Sequence, residues 1–139
     1  MESRTTATAN SKKRHWIGCT LTTLPVLFLL FDAAAKIVKA AVVVEGTRQL
    51  GYPESTIVGI GLTLLVCTVL YAIPRTSMLG AILLTGYLGG AVATHVRVEN
   101  PLFSHVLFPI YLGFFIWGGL FLRDERLRAL LPLRVPLAR

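Results

Sequence analysis

Six titratable side chains stand at the exterior ends of the apolar stretches of this chain: Asp32, Lys36, Glu54, His95, Arg97 and His105. Asp32 and Lys36 are one helical turn apart, so they share a helix face and can form an ion pair. Two readings of that pair stay open. One is a helix-end pair worth a few tenths of a kcal/mol, with Lys36 snorkelling to the headgroups. The other is an inward-facing carboxylate that handles protons, cations or a polar ligand. His95 and His105 flank one short turn, so their imidazoles can meet across it. Two such rings can bind a quinone carbonyl, relay a proton or ligate a metal; interfacial hydrogen bonding is the plainer alternative. A metal would want a third ligand, which only Asp32 or Glu54 could supply, so no metal site is expected. Glu54 joins the group if the 51–55 turn folds inward; otherwise its charge favours the start of its helix.

The elements that must position these residues are four apolar runs, roughly Trp16–Phe31, Thr56–Ile73, Met78–Thr94 and Phe103–Leu122. A spanning helix needs about 20 mostly apolar residues, and Ala33–Ala35 with Ile37–Val38 lengthen the first run past Asp32. Four such runs in series with almost no polar face exclude an ordinary soluble domain. The fold class expected is all-α, an integral membrane four-helix bundle. Its segments are a polar, disordered tail over 1–14, a transmembrane domain over 15–125 and a basic tail over 126–139. Antiparallel packing gathers Asp32, Lys36, His95, Arg97 and His105 at one end, where ionisable groups persist only if paired, hydrated or used.

Local signals set further expectations. The first helix extends to about Val43, with Asp32, Lys36 and Lys39 in one stripe, and Gly46 and Gly51-Tyr52-Pro53 break it. Pro53 or Glu54 opens the second helix, and Ile73-Pro74-Arg75 makes a tight turn. Gly86 and Gly90 form a G-x-x-x-G pair that lets another helix approach, within the chain or across a dimer. Pro109 kinks the fourth helix. Arg123–Arg128 then leaves the membrane as a charged turn that Pro132 and Pro136 end. Tyr87, Tyr111 and Trp117 read as packing or interface residues.

The chain has 139 residues, 54% hydrophobic, a mean hydropathy of +0.66 and a formal charge of +7. That accounts for one membrane domain. The placement of the charges speaks against a nucleic-acid partner. Arg4, Lys12, Lys13, Arg14, Arg75, Arg123, Arg126, Arg128, Arg134 and Arg139 fall on one side of the expected topology. Lys36, Lys39, Arg48 and Arg97 fall on the other. Basic residues beside spans are retained inside, so both termini are expected to be cytoplasmic, in an inner membrane. The basic ends also suit anionic headgroups. Cys19 and Cys67 lie in apolar runs and form no C-x-x-C pair, so they read as small buried apolar residues and not as a redox centre. A signal peptide competes for the first span, with Lys12–Arg14 as its basic region and Ala33–Ala35 as a cleavage site; an uncleaved helix keeps the Asp32–Lys36 pair intact.

The order of features resembles the DoxX-like family of small bacterial four-helix membrane proteins. The resemblance rests on Asp32-Ala33-Ala34-Ala35-Lys36, Leu50-Gly51-Tyr52-Pro53, Gly90 through Arg97, Asn100-Pro101-Leu102-Phe103-Ser104-His105, Pro109, and Trp117-Gly118-Gly119-Leu120 before Leu122-Arg123-Asp124. It covers roughly residues 16–125 and implies a four-helix membrane domain. Some relatives are similar to a small membrane subunit of a thiosulfate–quinone oxidoreductase, and others have been linked to redox-stress complexes. The resemblance therefore implies an accessory subunit of a membrane redox system, with a quinone or lipid-like ligand and a redox partner, and no enzyme by itself. The alternative is a small transporter that dimerises through Gly86–Gly90, although no carboxylate sits at mid-depth in a span. A membrane enzyme using His95 or His105 as acid–base lacks a nucleophile, metal set or cofactor motif.

Overall fold

Every apolar run becomes a helix, because in hydrocarbon each backbone N–H and C=O must be satisfied within its own segment. The computed structural model describes residues 2–130. Its elements are α1 (Glu2–Ile37), α2 (Ala41–Gln49), a 3-10 turn (Glu54–Thr56), α3 (Ile57–Ala72), α4 (Ser77–Arg97), a π-helical turn (Leu102–Val106), α5 (Phe108–Arg123) and α6 (Glu125–Leu130). Four stretches are long and apolar enough to cross a membrane: Lys12–Ile37, Glu54–Ala72, Ser77–Arg97 and Leu102–Arg123. They pack as a closed ring, α1 against α3, α3 against α4, α4 against α5, and α5 back against α1. Large apolar side chains such as Leu24, Phe31, Val66, Ile82 and Phe114 cover the outside, as a lipid solvent requires.

The centre is narrow. Leu29 and Ala33 meet Leu64, Cys67 and Tyr71, then Ala81, Leu84 and Leu88, then Ile116 and Leu120. Tyr71 is fully buried and its hydroxyl donates to the Ile116 carbonyl at 2.8 Å, tying α3 to α5. The closest helix approach is at Gly80, where an added Cβ would run into the backbone of Tyr71 and Leu70. Cys67 is buried as expected, whereas Cys19 is only partly so.

Several local expectations are corrected. The helix of the first span begins upstream, at Glu2 instead of near Trp16, since no Gly or Pro interrupts residues 2–17. It ends at Ile37 and not at Val43. Lys39 adopts φ 51° and the Ala40 N–H donates to the Ala35 carbonyl at 2.9 Å, a Schellman closure. Lys39 thereby leaves the Asp32–Lys36 stripe and faces Glu54 at 3.7 Å. After the break Val42–Val44 fall in the separate helix α2. Gly46 breaks nothing, and the chain reverses at Gly51, whose φ is +79°. Pro109 makes no kink within a helix: it sits in the first turn of α5, where its missing N–H costs nothing. The irregularity lies ahead of it, in the π-helical turn. Arg123–Arg128 does not simply extend outward. Asp124 leaves the helix and its Oδ1 accepts from the Arg126 N–H at 2.8 Å, starting α6, which returns Leu127 to the core. Pro132, Arg134, Pro136 and Arg139 lie outside the described residues. A Cβ added at Gly86 or Gly90 would meet nothing within 4 Å among the described residues.

A candidate ligand cavity at the His95 end of the bundle

At the end of the ring where α1 and α4 finish, the helices part around a cavity of about 500 Å³. That is within the ~300–1,000 Å³ typical of small-molecule pockets. Its walls are apolar, with Phe28 and Leu29 from α1, Ile60 from α3, Leu88 from α4, and Phe108 and Leu112 from α5. Its polar groups are few: Asp32 and Lys36 from α1, Tyr87, Thr94 and His95 from α4, and Thr47 and Tyr52 from the α2 region. Gly86 and Gly90 line it as well, and a Cβ on either would meet open space. Within the chain, these glycines leave room where a neighbouring helix was one of the two expectations. From Gly86 to His95 the lining of α4 spans ten residues, a rise of about 13.5 Å at ~1.5 Å per step. The cavity is therefore long as well as roomy.

Asp32 and Lys36 pair as their spacing predicts, with Nζ 2.5 Å from both carboxylate oxygens. The side chains are 31% and 17% exposed, so the pair is more than half withdrawn from water. Gly61 of α3 helps to seat it, because a Cβ there would collide with Lys36.

His95 sits at the rim. Asn100 Nδ2 donates to His95 Nδ1 at 2.8 Å, which leaves Nε2 as the protonated nitrogen of the neutral ring. The α4 terminus positions both residues: Glu99 adopts φ 56° and the Asn100 N–H donates to the His95 carbonyl at 3.0 Å, a second Schellman closure. The two imidazoles meet across the turn, with centroids 5.6 Å apart and planes at 63°. His105 itself is exposed, hydrogen-bonded through Nδ1 to Ser104 Oγ at 2.8 Å, and does not line the cavity.

Arg97 also stands one layer out. One Nη donates to the Leu50 carbonyl at 2.6 Å, and the guanidinium lies 5.9 Å from the Tyr52 ring centroid. It thus fastens the α2–α3 connection over the cavity. Gly51 suits the turn through its positive φ, and a Cβ there would crowd that guanidinium at 3.3 Å. Glu54 does not fold inward: it pairs with Arg48 at 2.9 Å and with Lys39. Of the five residues expected to converge, Asp32, Lys36 and His95 line the cavity, while Arg97 and His105 brace its rim. Among the described residues no group of three or more His, Cys, Asp or Glu is placed to hold a metal ion.

Sequence reasoning missed Tyr52, whose hydroxyl lies 3.0 Å from Thr94 Oγ1 and closes the cavity from the α2 side. Its signal was the Gly51-Tyr52-Pro53 turn. Tyr87, read as packing, faces the cavity too.

An all-helical ring of four spans, withdrawing one polar cluster from lipid at one end, defines a small polytopic membrane protein. The sequence profile of the DoxX-like family matches residues 20–119, and the chain belongs to that family. No curated protein and no solved structure matches it.

Proposed function

We propose that this protein is an accessory inner-membrane component that holds a quinone or lipid-like molecule in the His95-end cavity, on behalf of a redox partner. The carrying observation is the cavity's two-part chemistry: a long apolar trough ending in Asp32, Lys36, Tyr52 and His95. An amphiphile with a hydrogen-bonding ring and an apolar tail matches that division. Lys36, the His95 Nε2–H and the Tyr87 hydroxyl are donors that can serve a carbonyl oxygen. Asp32 orients the Lys36 ammonium through both carboxylate oxygens. The basic-residue distribution supports a topology with both termini in the cytoplasm, which would set the cavity at the exterior face. The chain's own residues at the cavity offer binding and positioning.

A short-chain benzoquinone titrated into detergent-purified protein tests the reading. Saturable binding is expected, weakened at least tenfold by His95→Ala and Asp32→Asn while the helical content stays unchanged. Absence of saturable binding would contradict it, and loss of the fold in both variants would make the cluster structural. The second reading, a dimeric transporter, draws on the open space over Gly86 and Gly90. Flux in proteoliposomes under a proton gradient separates the two.

A further inference from the structure

The opposite end of the bundle carries a second cavity, of about 260 Å³, between the start of the first span and the α5–α6 junction. It is smaller than the ~300–1,000 Å³ pockets of drug-sized ligands, a size for a compact group. Lys12, Arg14, Arg123 and Arg128 line it, against a single carboxylate, Glu125. The acids nearby are already engaged. Glu125 pairs with Arg128 at 3.2 Å, and Asp124 Oδ1 accepts from the Arg126 N–H at the start of α6.

Arg123 is the telling residue. One Nη donates to the Tyr71 carbonyl at 3.2 Å and the guanidinium lies 5.2 Å from the Tyr71 ring centroid. Its Nε is buried, with no hydrogen-bond partner among the described residues, and no described carboxylate pairs with it. A guanidinium held at the end of a span without a counter-charge is costly, and an anion in the adjoining cavity would offset that cost. Trp16 lines the same cavity and is 74% exposed, the placement of an aromatic at headgroup depth. The opening therefore lies where lipid phosphates are.

We propose that this cavity seats the phosphate of an anionic phospholipid headgroup, with Arg123 as its inner contact and Lys12 and Arg14 at its rim. The site is independent of the His95-end cavity. Lys12 and Arg14 are exposed and outside the core, so they can be changed without touching the packing. Arg75, exposed in the α3–α4 connection at the same end, does not line the cavity and serves as the control.

Native mass spectrometry of the detergent-purified full chain, with phosphatidylglycerol or phosphatidylcholine added, reads the outcome. Phosphatidylglycerol should be retained in preference to phosphatidylcholine, and Lys12→Gln and Arg14→Gln should each weaken retention about fivefold. Arg75→Gln should leave it unchanged. An equal loss in Arg75→Gln would mean diffuse attraction and no seat, and equal retention of phosphatidylcholine would remove the anionic selectivity. Either result overturns the proposal. Thermal stabilisation by inorganic phosphate equal to that by phosphatidylglycerol would also overturn it, because the ligand would then be a free anion.

Discussion

Removing the Asp32 carboxylate asks whether the Asp32–Lys36 pair is more than an ornament on a helix end. An exposed i,i+4 pair is worth about 0.3–0.5 kcal/mol, whereas breaking a buried pair costs about 3–5 kcal/mol. Here Nζ lies 2.5 Å from both oxygens and the side chains are 17% and 31% exposed, which places the pair between those limits. Discounting the buried figure for that partial hydration gives a coupling of about 1–2 kcal/mol. Asp32→Asn alone should cost about that much, because Lys36 would be left charged in a mostly apolar cavity and could recover only part of the loss by snorkelling. Lys36→Gln should cost somewhat less, since Asp32 is the better hydrated partner. The assay is reversible unfolding in mixed micelles, followed by far-UV circular dichroism, on wild type, both single variants and the double variant. The double variant should be more stable than the sum of the single losses by the coupling energy. A coupling below about 0.5 kcal/mol would refute the reasoning and reduce the pair to a solvated helix-end contact.

Other consequences can be checked with the same tools. Gly80→Ala drives a methyl into the backbone of Tyr71 and Leu70, which cannot rotate aside; overpacking of about 1–3 kcal/mol should outweigh the ~1 kcal/mol gain in helix propensity and lower the thermal midpoint. Gly90→Ala meets open space and should keep that propensity gain in the monomer, so a loss of stability there would reveal a second copy against this face. Glu99→Gly relieves a side chain held at φ 56° and should stabilise by up to about 1 kcal/mol in thermal unfolding; destabilisation would show that the Glu99 side chain contributes more than its strain costs. Reporter fusions after Leu50 and Asn100 should read exterior and those after Arg75 and Arg139 cytoplasmic, whereas an exterior C-terminus would reverse the topology.

The spans were legible because hydrocarbon leaves a chain little choice: apolar runs of sufficient length must be helices. The i,i+4 spacing of Asp32 and Lys36 also carried through to a contact, and so did the proximity of His95 and His105. What stayed hidden depended on backbone conformations that few sequence signals announce. Lys39 occupies the left-handed region without being glycine, so the stop of α1 was not marked by its residue type, whereas α4 does end at Arg97, where its polar end residues placed it. Pro109 carried the right signal, but it can mark a helix start as well as a kink, and only the preceding π-helical turn decides. The G-x-x-x-G spacing was equally ambiguous, since small residues can admit a helix or leave a void, and at Gly86 and Gly90 they leave the void. Arg97 and His105 sat close enough in sequence to His95 to join the cluster, yet helical geometry turned them to its rim.

The cavity as a ligand site is the central claim, and photo-crosslinking tests it most directly. A photoreactive short-chain quinone, activated on the protein in its membrane and mapped by peptide mass spectrometry, should mark Phe28, Tyr87 and Leu112, which line the His95-end cavity. Excess unlabelled quinone should suppress the marking. Adducts confined to Ile110 and Phe114, which are exposed on α5 and lie outside that cavity, and unaffected by competitor, would contradict the account.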